Sequence, residues 1–315
     1  MSNLSARGRL LAERLEALYR TYGPETCATD PIRFPRSYTA PEDQEVVAWV
    51  SSAFAYGRVE TILANVSGLL STLGSRPARA LEAIPDFGRF GREQLESFRH
   101  RFHGGGDAAA LLFVIARARE ESGSLRGFFE REIRPEDPDV GGLISRVTQK
   151  ILALDFRPVI GGARRTLAGD SPVRFFFPDP AGGSACKRWN LFLRWMVRKD
   201  ALDLGLWPGI RTDRLVIPTD THIHLISRRL GLTRRRSADW KTAREITARL
   251  KRFDPTDPVR YDYALCRIGI HQICRSELRL SRCAECLARA ACPVGRRRPG
   301  GPGDHEPATR GRPPA

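Results

Sequence analysis

The chain has 315 residues, about two domains at roughly 150 residues each, which excludes a mini-protein held together only by staples. It carries 52 Lys and Arg against 36 Asp and Glu, a formal net charge of +16 that points to a polyanionic partner. No run approaches the roughly 18 apolar residues of a membrane span and residues 1–20 lack a signal-peptide core, so a cytoplasmic protein without membrane contact is expected.

Leu10, Leu11, Leu15, Leu18 and Tyr22 fall on one face of a first helix. Pro41 opens a second, with Glu42 and Asp43 suited to its first turn and Val46, Val47, Trp49 and Val50 to its buried face. Tyr56-Gly57-Arg58 interrupts the pattern. Helical periods then cover 62–73, 93–102, 107–119, 125–133 and 143–154, followed by 189–197, 223–230, 243–250 and 261–274. Gly and Pro clusters such as Gly104-Gly105-Gly106 and 178–183 separate them. Residues 173–177 and 215–217 are strand-like but too short to found a sheet, so the expected class is all-α. From 295 to 315 the chain is Arg, Gly and Pro with little to bury, and it reads as a disordered tail.

Seven cysteines in a reducing compartment read as metal ligands, catalytic thiols or core residues rather than as disulfides. Cys274, Cys283, Cys286 and Cys292 stand as C-x8-C-x2-C-x5-C. Structural zinc ordinarily takes two C-x2-C knuckles, and only one such pair is present. Four thiolates in one compact loop suit the larger cage of a [4Fe-4S] cluster, with zinc the alternative. Cys266, one helical stretch upstream, competes with Cys274 for the first position, while the isolated Cys27 and Cys186 read as small core residues. This spacing resembles the iron-sulfur loop of the helix-hairpin-helix DNA glycosylase superfamily, C-x6-C-x2-C-x5-C, with the first gap two residues longer. Residues 265–271 resemble the helix that precedes the loop there. The chain apart from its tail also resembles an uncharacterised bacterial family, domain of unknown function 2400, in segments such as Ala55-Tyr56-Gly57-Arg58-Val59 and Lys187-Arg188-Trp189-Asn190-Leu191-Phe192.

The glycosylase resemblance extends to two further segments. Val216-Ile217-Pro218-Thr219-Asp220-Thr221-His222 is similar to the apolar approach to V-D-T-H, which implies that Asp220 is the catalytic carboxylate. An Asp before a helix is also a favoured N-cap worth about 1 kcal/mol, and the two roles are compatible. Residues 180–187 resemble the P-G-x-G-x-K hairpin, whose glycines bring backbone amides to a DNA phosphate and whose Lys opens the second helix. Gly182 and Gly183 take the phosphate-contacting place, Ala185 stands where the second hairpin glycine is usual, and Lys187 becomes the nucleophile. An amine that attacks an anomeric carbon must be unprotonated and hence partly desolvated, and Trp189, Phe192 and Trp195 are expected to supply the apolar wall. Asp220 would stabilise the cationic sugar and assist proton transfer. Lys187 and Asp220 lie 33 residues apart, farther than in most of the superfamily but similar to archaeal 8-oxoguanine glycosylases, and Lys199 is the rival amine.

These resemblances imply a two-lobed glycosylase-like fold, with residues 38–207 forming the lobe with the hairpin. Residues 1–37 and 208–294 would form the lobe with the cysteine loop. They imply excision of a damaged base from double-stranded DNA by a monomer, with possible strand cleavage through a lysine Schiff base. Arg58 and Arg188 are further DNA contacts in this reading, and Arg58 or Tyr56 would fill the space left by a flipped base. His222 and His224 sit roughly 160° apart on a helix and cannot chelate one ion. His271 reads as a packed residue, and Arg234-Arg235-Arg236 as a solvated turn. A noncatalytic iron-sulfur DNA-binding protein on the same scaffold and an RNA-processing enzyme are the competing readings.

Overall fold

The structure is a computed structural model, and it describes residues 4–298. It is mostly helical, and the one sheet among the described residues is a two-stranded hairpin, Arg99–His100 against His103–Gly104. No helix among them is long and apolar enough to cross a membrane.

The Pro41–Ala53 helix lies at the centre. Pro41 fits its first turn, and every residue from Val46 to Ala53 is buried. It packs along the Lys187–Val197 helix and beside Arg33–Arg36. Trp49 lies between Phe192 and Trp189, with ring centroids 5.6 and 5.3 Å away, and Phe129 joins the cluster at 5.4 Å. Such pairs add about 0.5–1.5 kcal/mol each beyond the area they bury. Burial of Glu45 raises its pKa, yet its carboxylate accepts from Trp207 Nε1 at 2.7 Å and from the Leu125 amide, so the charge is not left alone in the core.

A second buried helix, Gly105–Ser122, packs on Phe87–Glu93 and Leu125–Glu130. Its approach depends on a missing side chain: a Cβ on Gly105 would stand 2.0 Å from the Leu95 carbonyl oxygen. The first helix, Ala6–Thr21, buries Leu11, Leu15 and Leu18 against Asp262–Ile270 and the turn at Arg289–Ala291, joining the two ends of the described chain.

A buried ion network then ties the Lys187–Val197 helix to its surroundings. Arg194 pairs with Asp203 and Asp262, while Arg198 pairs with Asp200, Asp203 and Asp257. The partners come from three chain segments, so the network fixes the helix relative to Asp262–Ile270 across the base of a cleft.

Three sequence expectations are corrected. The helix expected over 93–102 does not form: Asp86 caps a helix at Phe87–Glu93, and the chain then turns into the hairpin. Leu95 and Phe98 are buried as the helical spacing implied, but from a turn. The strand-like 173–177 forms a 3-10 stretch over Pro172–Phe176, so an α-helix follows the 178–186 loop but none directly precedes it. Residues 215–217, as expected, found no sheet. Of the expected tail, Gly295–Arg297 form a 3-10 turn and residues 299–315 lie outside the described residues.

Candidate functional site

Lys187 is the first residue of its helix and Asp220 the N-cap of Thr221–Leu230, so two helix starts converge. Lys187 Nζ stands 3.4 Å from Asp220 Oδ2 and donates to the Ala55 carbonyl at 2.9 Å. The other carboxylate oxygen, Oδ1, accepts from the Ile223 amide at 2.9 Å. One carboxylate therefore caps a helix and faces the amine at once. The side chains are 31% and 18% exposed, partly shielded but reachable.

Both line a cleft of about 880 Å3. Residues from 55–62, Arg101 and the Lys187–Val197 helix line it together with residues from 29–31, 218–223 and the Asp262–Ile270 helix. Arg58 is exposed on this lining. His222 reaches it because Gly269 leaves room: a Cβ there would come within 2.6 Å of the imidazole. Lys199 is not on the lining, where Lys187 is the amine facing Asp220.

Several expected positions differ. Trp189, Phe192 and Trp195 are buried in the core and do not wall the amine. Leu191 and Arg194, four and seven positions after Lys187, share its face instead, as helical periodicity requires. Arg188, expected to face DNA, is buried with its guanidinium 3.7 Å from the Phe175 ring centroid and bonded to the Phe175 carbonyl, and burial lowers its pKa to about 10. Gly182 and Gly183 are exposed, but their amides donate to the carbonyls of Asp179 and Pro180. The left-handed residues of that loop are Gly183 and Cys186, not Ala185. Tyr56 hydrogen-bonds His103 and packs among aromatic rings.

Sequence reasoning missed Asp30, Arg101, Asp262, Tyr263 and Cys266 on the lining. Burial pushes Asp262 up to about 6 against the lowering pull of Arg194. Only the helical face of 262–270, with Asp262, Cys266 and Ile270 at four-residue spacing, carried a signal for this group.

Cys274, Cys283, Cys286 and Cys292 line one small pocket of about 30 Å3, close to the liquid volume of one water. Cys266 lies in the cleft instead, so the fourth thiol of the group is Cys274. Arg229 donates to Cys274 Sγ at 2.9 Å, and the Gly295 amide to Cys292 Sγ at 3.3 Å. Burial pushes the Cys286 thiol up to about 11. Among the described residues no group of three or more His, Cys, Asp or Glu is arranged to hold a metal ion. The donor chemistry of four cysteines suits a thiolate-bound centre. His271 stacks on Tyr22 with centroids 5.9 Å apart.

A family model described as a protein of unknown function, DUF2400, matches residues 30–271. No curated protein and no solved structure matches the chain. The matched range holds Lys187 and Asp220 and stops before the four cysteines.

Proposed function

We propose that the chain, which belongs to the DUF2400 family, is a DNA repair glycosylase. In this reading it excises a damaged base, with Lys187 as nucleophile and Asp220 as acid-base partner. The observation that carries the reading is the 3.4 Å approach of amine to carboxylate inside the cleft. Cleavage of a buried nucleotide requires that it leave the base stack and enter such a hollow.

Asp220 Oδ2 is placed to receive a proton from Lys187, freeing its lone pair. The amine then bonds to the anomeric carbon as the bond from that carbon to the base breaks. The departing base keeps the electron pair and takes up the proton that Asp220 received from Lys187. A proton of the alkylated amine then passes to the ring oxygen as its bond to the anomeric carbon opens, which leaves a Schiff base on Lys187, and loss of a C2′ proton expels the 3′ phosphate. Exposed Arg58 is the DNA-backbone contact in this reading. Residues 275–298 add seven arginines against two glutamates. Cys274, Cys283, Cys286 and Cys292 would hold a [4Fe-4S] cluster, which would supply a rigid scaffold for that basic loop.

The test is a screen of purified protein against duplexes that each carry a different damaged base, with release of free base as the readout. Release from at least one lesion, lost in Asp220→Asn, is expected. Tight damage-independent binding without release would favour the noncatalytic reading, and stronger binding to structured RNA at equal salt would favour RNA processing.

A further inference from the structure

Beside the cleft, Arg99–His100 and His103–Gly104 pair in antiparallel register, leaving Arg101 and Phe102 as a two-residue turn. Arg101 has φ +57, and the first central position of such turns is ordinarily glycine when φ is positive. An arginine held there marks a strained tip, and strain of this kind collects where geometry serves function.

The base of the hairpin is fixed. His100 and His103 are fully buried. His100 Nε2 donates to the Tyr56 carbonyl at 2.9 Å, and its Nδ1 accepts from Asn65. His103 Nε2 donates to the Pro172 carbonyl at 2.9 Å, and its Nδ1 accepts the Tyr56 hydroxyl. The tip is open. Phe102 is 54% exposed and Phe175 40% exposed, with ring centroids 5.0 Å apart. Arg101 points the other way along the turn, onto the lining shared with Lys187 and Asp220.

A rigid base, a solvent-exposed aromatic tip and exposed cations at a cleft rim are the parts needed to enter a nucleic-acid stack. We infer that the Arg101–Phe102 turn is the wedge of this protein: Phe102 occupies the gap left when a nucleotide is extruded, stacking on the neighbouring base pair. Arg101 contacts the phosphate of the extruded nucleotide at the cleft mouth. The inference rests on the DNA reading above. It assigns to the hairpin the part expected of Arg58 or Tyr56, and Tyr56 is held by His103.

The probe is a duplex with a tetrahydrofuran abasic analogue opposite 2-aminopurine, whose fluorescence rises on unstacking. Wild-type protein should bind it and raise the signal. Phe102→Ala should bind roughly tenfold more weakly and lose most of the rise, while Phe102→Trp retains both. The exposed position makes both variants compatible with the fold, and circular dichroism verifies it. An unchanged fluorescence rise in Phe102→Ala overturns the wedge alone. Absence of wild-type binding to damaged and undamaged duplex alike overturns the DNA reading and the wedge together.

Discussion

Asp220 serves two partners with its two oxygens, a helix amide and an amine, and the two roles come apart by substitution. Asn caps about as well as Asp, so Asp220→Asn should melt near wild type, whereas Asp220→Ala should lose about 1 kcal/mol. If both variants lose base release but only the alanine variant loses stability, chemistry and capping are separate. Equal loss of stability in the two would tie the residue to its charge pairing instead. Titration of His103 is a second test at this scale. Burial lowers its pKa, and that of His100, so the unfolded chain binds protons first as pH falls through about 6.5. The hairpin should therefore lose stability as the solution is acidified, and be fully held above that pH. An imidazole titration midpoint for His103 at or above about 6.5 by NMR would contradict this.

Among the elements, the Lys187–Val197 helix was legible in outline but not in orientation. Its apolar spacing marked a helix, yet the aromatic residues nearest the lysine in sequence were assigned to the lysine's own face. Residues two or five positions on point away, while those four and seven on, Leu191 and Arg194, share it. The hairpin was illegible for a related reason: Leu95, Phe98 and Phe102 repeat at helical intervals, and nothing local shows that Phe102 faces solvent. The ion network was equally hidden, because two of its carboxylates, Asp257 and Asp262, come from a distant segment. Removing one member should be costly: Arg194→Ala leaves Asp262 buried without its partner and Asp203 with Arg198 alone, and should destabilise the protein by about 3–5 kcal/mol in denaturant unfolding. A loss under about 1 kcal/mol would mean that the network does not hold the helix in place.

For the whole molecule, the grouping of the cysteines was legible in their spacing, while the approach of Lys187 to Asp220 was expected only through the resemblance to the glycosylases. The cleft was not legible, since its lining comes from separate parts of the chain. The cysteine loop lies outside the family match. Protein purified without oxygen should be brown and carry about four irons per chain, and Cys283→Ser should lose the colour. One zinc per chain, without colour, would contradict the cluster. In the proposed reading, the surplus of positive charge makes DNA affinity a function of salt. With about six phosphates contacted, binding should weaken roughly a thousandfold between about 50 and 200 mM salt.

The most direct test is borohydride trapping on damaged duplex followed by peptide mass mapping. A covalent DNA adduct on Lys187, absent in Lys187→Gln, is the predicted result. Base release by wild-type protein with no adduct, or with the adduct on another lysine, would contradict Lys187 as the nucleophile.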